Sequence, residues 1–388
     1  MRPGHGKRIA ARPWLKSRMN RSDRSVDAKP GWAINGRFLT QRTTGVQRYA
    51  CEIVAALDAI LSQDGDLADR LQFRMVLPPA AGATTDLSNI LACRTSFGSG
   101  HAWDQLIFPL YERAGLLSLG NFGPIFARNH IVCIHDANTF ISPESYSRAF
   151  GLSYRTLLPL VGKRARRIAT VSQFSASMLV RYGIGSQDKI FIAPNGHEHV
   201  LRWDARRAQL PLLGTLNRPY VLLLGSAAKH KNVDIVVQQA QALDAAGIDL
   251  VIAGAASRIF ASGTAAVHQP NVHQIGFVGD DELAALYERA LCLVFPSKTE
   301  GFGIPPLEAM AKGCPVISSN AASLVEVGGD AVIYVDPDDG AGWLEAIIGL
   351  AGNASLRATM SEKGKRRVGL FAWRRSAEIY LDEILRLS

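Results

Sequence analysis

Short apolar runs that alternate with amphipathic stretches recur along most of the chain, and they constrain its fold more than any other feature. Such an alternation is typical of parallel sheets whose faces are covered by helices. A chain of 388 residues is long enough for two domains of this kind, each with its own core. The apolar runs cover residues 32–35, 73–77, 116–119, 131–136, 168–172 and 190–196, and then 220–225, 250–254, 275–277, 291–295, 315–319 and 331–335.

The runs fall into two series, so we expect an α/β protein with two Rossmann-like domains. The first domain is expected over residues 31–200 and the second over residues 210–365. Residues 197–218 are polar and mixed in composition, which is typical of a linker. A final helical segment, 366–388, carries apolar residues at helical spacing.

The formal net charge of +9 is concentrated in residues 1–30, which carry nine cations and two anions and leave only +2 for the rest. These thirty residues lack hydrophobic periodicity, which predicts a disordered basic extension. Three interpretations stay open: an arm that contacts anionic lipid, an arm that binds nucleic acid, and an over-extended start with Met19 as the initiator. We favour the last slightly. A second basic cluster is a solvated helix end or a membrane-facing patch, and consists of Lys163, Arg164, Arg166 and Arg167.

Several classes of function find no support in the sequence. No apolar run approaches the roughly 18 residues that span a bilayer. The five cysteines show no C-x-x-C spacing and are expected to be reduced thiols in a cytoplasmic protein. There is no convincing D-x-D metal loop, no dinucleotide fingerprint and no nucleophile elbow, so we expect neither a bound metal nor a cofactor.

The stretch from Glu300 to Glu308 is the strongest candidate site. It follows the apolar run 291–295, and it contains two glycines, Gly301 and Gly303, before a helical pattern begins. The pattern predicts a strand, a glycine loop, a helix N-terminus and a second carboxylate one turn into the helix.

This arrangement has a chemical use. A helix N-terminus attracts phosphate, and glycines allow the backbone to approach a ligand closely. Two carboxylates beside an anion site suit the hydroxyl groups of sugars on either side of a diphosphate, as in a nucleotide sugar. The structural alternative is a favourable acid in the first turn of a helix and a solvated loop glutamate.

Other candidate residues lie at predicted strand ends, where doubly wound sheets bind ligands. Gly225 ends a strand, and Lys229 and Lys231 follow it, so their charges could neutralise a diphosphate. In the first domain, Gly45 lies at a strand-to-helix junction and His135 ends the run 131–136. Solvated loop charges, an ordinary turn glycine and a structural histidine are the alternatives.

Phe302, the glycines beside it and the eight-residue spacing of the glutamates resemble the signature of retaining GT-B glycosyltransferases of family 4 (group 1). The closest likeness is to bacterial mannosyltransferases of surface-polysaccharide assembly, and it covers almost all of the chain after residue 30. The resemblance implies two Rossmann-like domains that face each other across a cleft, with the C-terminal helix crossing back to the first domain. It also implies that 31–200 holds the acceptor and 210–365 the nucleotide sugar.

The resemblance implies a role for each candidate residue. The family usually has an arginine and then a lysine after the strand that ends at Gly225; Lys231 matches the lysine, whereas Lys229, or His230 if the loop is shifted, fills the arginine position. The implied catalytic residues are Glu300, His135 and Lys231, and the implied donor-binding residues are Glu308, Lys229, Gly45, Gly225, Gly301, Phe302 and Gly303.

The implied function is transfer of a hexose, most plausibly mannose from GDP-mannose, to a growing glycan or lipid-linked saccharide, with retention by front-face attack. No metal, cofactor or nucleic acid is expected to take part, and the location is cytoplasmic, with a peripheral contact at the inner face of an anionic membrane as an option. Three alternatives stay open: a glucosyl or other hexosyl donor, a non-hydrolysing nucleotide-sugar epimerase on the same fold, and a non-enzymatic binder that acts through its basic arm.

Overall fold

A computed structural model describes residues 31–82, 87–226, 228–254 and 269–387. The basic extension expected over residues 1–30 lies outside the described residues.

The first domain is built on a parallel sheet of seven strands in the order β3-β2-β1-β4-β5-β6-β7. The strand order reverses direction next to β1, as expected for a doubly wound sheet. Its strands are β1 (Gly31–Asn35), β2 (Gln72–Leu77), β3 (Ile90–Arg94), β4 (Gly115–Ser118), β5 (His130–Cys133), β6 (Arg167–Thr170) and β7 (Ile190–Ile192).

Helices cover this sheet because each has one apolar stripe. In the first helix the buried residues Ile53, Val54 and Leu57 recur at helical spacing and pack on the strands. The helices are α1 (Gly45–Gln63), α2 (Gly65–Arg70), α3 (Gly100–Leu106), α4 (Asn138–Ile141), α5 (Arg148–Arg164) and α6 (Gln173–Arg181).

The second domain has a parallel sheet of six strands in the order β10-β9-β8-β11-β12-β13. Its strands are β8 (Tyr220–Gly225), β9 (Asp249–Gly254), β10 (Val272–Gly276), β11 (Cys292–Phe295), β12 (Val316–Ser319) and β13 (Ile333–Val335). Its helices are α7 (Leu212–Thr215), α8 (Asp234–Val237), α9 (Ala240–Ala245), α10 (Asp280–Arg289), α11 (Ile304–Ala311), α12 (Leu324–Gly328), α13 (Gly340–Gly352) and α14 (Ala354–Val368).

The last helix, α15 (Trp373–Leu387), packs on α1 of the first domain. The Tyr380 and Tyr49 hydroxyl groups lie 3.1 Å apart, and the Tyr49 hydroxyl donates to the Ala193 carbonyl at 2.9 Å. Ser376 donates to the Pro194 carbonyl at 2.6 Å. The chain therefore returns to its first domain after completing the second.

The α/β class with two Rossmann-like sheets is confirmed, but one strand was missed. Strand β3 was overlooked although its apolar residues, 90–93, form a run no shorter than 32–35; it lies at the sheet edge with mostly exposed residues. The segment 197–218 lies between the two sheets, and His199 and Trp203 within it are buried. Within the described residues, no helix is both long enough and apolar enough to cross a bilayer.

Asp58 of α1 holds the start of β3 in place. Its carboxylate is buried and accepts hydrogen bonds from the N–H groups of Ser88 at 2.9 Å, Asn89 at 2.7 Å and Ile90 at 2.9 Å. Replacing Asp58 by alanine leaves three donors without their acceptor. We expect Asp58→Ala to lower the free energy of unfolding by about 3 kcal/mol, seen as a lower thermal midpoint. Asp66→Ala on exposed α2 is the control, and equal midpoints for the two variants would contradict this reading.

Candidate active site

The loop after β11 is shaped by glycine. Strand β11 is fully buried, and α11 begins nine residues after it, with Gly303 at the cap position in the left-handed region at φ +104°. A Cβ at Gly303 would lie 2.6 Å from a methyl group of Leu324, so both the conformation and the space require glycine. Because Pro305 and Pro306 have no N–H, Ile304 is the only residue among the first three positions of α11 that offers a backbone donor to the loop.

The second domain fixes this loop from one side. The Ser323 hydroxyl lies 2.9 Å from the Glu300 carbonyl oxygen and 3.0 Å from that of Phe302. Phe302 is buried and meets the Phe371 ring edge-on. The Phe302 side chain thus anchors the loop in the core.

The first domain fixes the loop from the other side. The Ser172 and Ser175 hydroxyls both donate to the Gly301 carbonyl, at 2.6 and 2.9 Å. In return, Glu326 of the second domain accepts the N–H groups of residues 173–174, which begin α6. The N-terminus of α6 is therefore a joint between the domains.

Gly301 also touches the end of β5. A Cβ at this position would lie 2.8 Å from the His135 carbonyl oxygen and 3.0 Å from the Asp136 Cβ. The structure thus brings the predicted loop against the predicted histidine segment of the first domain.

Lys231 and Glu300 form an ion pair at the loop. Their Nζ and Oε1 atoms lie 2.7 Å apart, and both side chains are only partly exposed. Lys229 is exposed and makes no ion pair or hydrogen bond with its side chain among the described residues. His230, between the two lysines, is buried, and its backbone N–H donates to the Ser145 hydroxyl of the first domain at 3.1 Å. Of the two predicted lysines, only Lys231 meets Glu300.

Glu308 is 4% exposed and is already engaged by three groups. His199 lies 3.0 Å from Oε1, the Tyr287 hydroxyl donates to Oε2 at 3.4 Å, and the Arg48 Nε lies 3.8 Å from Oε1. A ligand hydroxyl that reaches this carboxylate must therefore displace one of its partners.

His199 is a site residue that the sequence reasoning missed. Its Nδ1 accepts the indole N–H of Trp373 at 3.1 Å, so Nε2 carries the proton and donates to Glu308. The residue lies in a polar segment three positions after the apolar run 190–196, and no motif singled it out. Three distant parts of the chain meet at this one ring.

Arg48 was missed as well. It lies in the first turn of α1 and forms a two-pronged ion pair with Asp280 of the second domain, at 2.6 and 3.1 Å. Arg42 stacks over the Phe277 ring nearby, with its guanidinium carbon 3.5 Å from the ring centroid. These contacts join the loop before α1 to the carboxyl end of the second sheet.

His135 is neutral in this environment. Burial lowers the pKa of His135 to about 4, partly offset by its hydrogen bond to the Leu119 carbonyl oxygen. Nε2 lies 3.0 Å from that oxygen and therefore carries the proton. The remaining ring atom able to accept a hydrogen bond from a ligand is Nδ1.

Asp136 was not among the predicted site residues. Burial raises its pKa, the negative charge of Glu300 adds to the rise, and the Asn138 N–H and Lys231 oppose it. Its Oδ1 accepts from the Asn138 N–H at 2.8 Å. A third carboxylate therefore lies near Glu300, on the opposite wall.

The two remaining predicted glycines lie at the ends of their elements. Gly45 begins α1, and a Cβ there would lie 3.1 Å from a methyl group of Ile304 in the first turn of α11. Gly225 ends β8 and pairs in register with Gly254. Gly45 thus contacts the candidate loop region directly. In the described part of the chain, no group of three or more His, Cys, Asp or Glu side chains is placed to hold a metal ion.

Comparison with known proteins agrees with this geometry. The family described as glycosyl transferases group 1 matches residues 211–367, which contain β8 to α14. The chain is a glycosyltransferase with a group 1 domain. It is 24% identical over 328 residues to the O-antigen chain mannosyltransferase RfbU of Salmonella typhimurium, covering 81% of this chain and 89% of that protein.

Two further matches span parts of both domains. O-antigen chain mannosyltransferase B of Escherichia coli is 29% identical over 271 residues, covering 65% of this chain and 70% of that protein. The crystal structure of Anabaena HepE in complex with UDP and glucose superimposes with a TM-score of 0.64 at 16% identity, over 92% of this chain and 100% of that chain. Both domains therefore have the GT-B arrangement.

The contact at Gly301 can be tested with one methyl group. We expect Gly301→Ala to reduce glycosyl transfer by about 10- to 100-fold, because the new Cβ forces the loop away from His135 and Asp136 by part of an ångström. The thermal midpoint should also fall, because the Cβ presses on backbone and not on a flexible side chain, so transfer is measured well below the midpoint. The matched control is Gly349→Ala, where a Cβ meets nothing within 4 Å. Full activity in Gly301→Ala would show that the contact is not needed.

The buried ring of His199 gives a second test. His199→Ala removes a hydrogen-bond donor from buried Glu308 and an acceptor from the Trp373 indole, so we expect a loss of about 2–4 kcal/mol in the free energy of unfolding. Trp373→Phe removes the indole N–H together with part of a buried ring, so we expect a loss of similar size. Thermal unfolding of the purified variants measures both; a midpoint for His199→Ala equal to that of the unmodified protein would contradict the assignment.

Proposed function

We propose that this glycosyltransferase moves a hexose, mannose from GDP-mannose, to a growing glycan or lipid-linked saccharide, with retention of configuration, as in family 4. Two relatives that cover most of the chain are named as mannosyltransferases of O-antigen chains, which supports the sugar and the class of product. The GDP moiety and the retention rest on the resemblance of the motif.

One observation carries the donor site: Lys231 forms an ion pair with Glu300, which lies in the loop that leads into the N-terminus of α11. A diphosphate placed here meets a cation and the partial positive charge of the helix end. It competes with Glu300 for the ammonium group of Lys231. The released Glu300 carboxylate is then free to accept hydroxyl groups of the transferred sugar.

The other proposed contacts follow from position. Glu308, one turn into α11, binds the ribose hydroxyls after Arg48 moves aside, and His199 keeps its carboxylate oriented. Lys229, exposed beside Lys231, turns in to the diphosphate. The N–H groups of residues 301–303 and the backbone at Gly225 line the phosphate site.

The first domain closes the site in this proposal. His135 offers Nδ1 to the transferred sugar, and Gly45 permits the start of α1 to approach α11. In the reaction, the bond from the anomeric carbon to the phosphate oxygen breaks and a bond to an acceptor oxygen forms on the same face. The acceptor proton passes to the leaving phosphate oxygen, while Lys231 stabilises the growing negative charge.

The acceptor sets the location that we propose. A lipid-linked saccharide is reached from the cytoplasm at the inner face of a membrane. The basic cluster at the end of α5 and the start of β6 supports a peripheral contact with anionic lipid there.

The test of this function measures donor binding and transfer separately. Sugar nucleotides are screened for thermal stabilisation, since a bound ligand raises the midpoint by mass action. We expect GDP-mannose to stabilise the protein most. Lys231→Ala and Glu308→Gln should each reduce transfer by about 10²- to 10³-fold with the fold intact.

The control is Lys365→Ala, which removes an exposed lysine of α14 that is paired with Glu362, away from the candidate loop. Normal transfer in both Lys231→Ala and Glu308→Gln would remove the site assignment. Incubation of the protein with donor alone separates transfer from epimerisation: a new sugar nucleotide formed without acceptor would identify an epimerase instead.

A further inference from the structure

An open groove lies on the first sheet, away from the candidate active site. It has a volume of about 1170 Å³, above the range of about 300–1,000 Å³ typical of small-molecule sites. It extends over β2 and β3, on the face that carries Arg74, Leu91 and Cys93. Its side walls include Phe97, Leu110 and Tyr111.

The groove lies over the part of the sheet that the described elements leave uncovered. Asp58 of α1 holds residues 88–90, at the start of β3, on the α1 side. On the opposite face, Trp103 and Phe108 pack over Ala33 of β1, Val76 of β2 and Leu116 of β4. In the described part of the chain, β3 and the amino-terminal half of β2 are left uncovered on that face, although both faces of a parallel sheet are normally covered.

The groove presents large apolar side chains to solvent. Leu91 is 68% exposed, Phe97 65% and Leu110 75%. Three such residues around one concavity form a contiguous apolar patch, and patches of this kind mark sites of binding.

Arg74 adds a charge to this apolar surface. It lies on β2, in register with Ala33 on one side and Leu91 on the other, and its side chain is partly buried. It makes no ion pair or hydrogen bond with any described residue, and neither does the exposed Arg113 at the rim. A partly buried cation without a counter-ion is unfavourable, so the groove is electrostatically complementary to an anion.

We propose that this groove binds an amphiphile with a long apolar chain and a phosphate head, the lipid phosphate that carries the acceptor saccharide. The chain lies along Leu91, Phe97 and Leu110, and the phosphate meets Arg74. That this lipid carries the acceptor saccharide rests on the proposed function. That the groove binds the lipid does not depend on it.

One end of the groove reaches the sheet edge that carries the candidate active site, and Gly31 and Gln72 place its other end at the opposite edge. Thr95 and Ser96, just beyond the carboxyl end of β3, also line it. His135 lies beyond the carboxyl end of β5 in the same parallel sheet, so both positions lie on the same sheet edge. A saccharide attached to the bound phosphate can extend along this edge from β3 toward the candidate active site.

The experiment uses the full chain and a short lipid of defined chemistry. Binding of farnesyl phosphate, farnesol and inorganic phosphate is measured by calorimetry or thermal shift below the micelle-forming concentration. We expect farnesyl phosphate to bind, farnesol to bind at least tenfold more weakly, and inorganic phosphate alone to give no shift. Arg74→Gln should weaken farnesyl phosphate binding at least tenfold, and Phe97→Ser should weaken farnesyl phosphate and farnesol alike.

Arg181→Gln is the matched control, because Arg181 is an exposed arginine at the end of α6, away from the groove. No binding of farnesyl phosphate, or equal binding in Arg74→Gln and Arg181→Gln, overturns the proposal. A thermal midpoint that rises with protein concentration but does not change when lipid is added also overturns the proposal, because a second copy of the chain then covers the groove. GDP-mannose binding is measured on the same samples. If the unmodified protein binds farnesyl phosphate but not GDP-mannose, the donor assignment is overturned and the groove remains a lipid-phosphate site.

Discussion

The carbonyl group of Gly301 fixes the position of one domain relative to the other. Two hydroxyl groups at the start of α6 donate to it, and the missing side chain lets the loop touch the end of β5. Buried hydrogen bonds of this kind contribute about 1 kcal/mol each, but their geometric effect is larger. They set where Glu300 stands relative to His135, on which any chemistry between the domains depends.

Glu300 and Glu308 each have a cation nearby from another part of the chain. Lys231 pairs with Glu300, and Arg48 lies 3.8 Å from Glu308, which also accepts a hydrogen bond from Nε2 of the His199 ring. The ion pair between Arg48 and Asp280 is half exposed and adds about 0–1 kcal/mol. The protein thus satisfies its site charges without a ligand, and binding becomes an exchange of partners, which requires less free energy than creating a bare buried charge.

The sequence was most informative where the signal is local. Glycine, proline and apolar runs predicted the strand, loop and helix around Gly303 because backbone conformation there depends on the residues themselves. It could not place Arg48 beside Asp280, 232 positions away, or His199 beneath Glu308. Those contacts depend on how two sheets dock. The sequence also could not predict the uncovered face at Arg74, because only the assembled sheet shows which strands lack a covering helix.

A crystal structure of the protein soaked with GDP-mannose tests the central claim most directly. The account predicts a diphosphate about 3 Å from Lys231 Nζ and from backbone N–H groups of residues 301–304, with the hexose hydroxyls on Glu300. The Lys231–Glu300 ion pair should be broken or shared. A nucleotide bound elsewhere, with that ion pair unchanged and the loop at Gly301 untouched, would contradict the account.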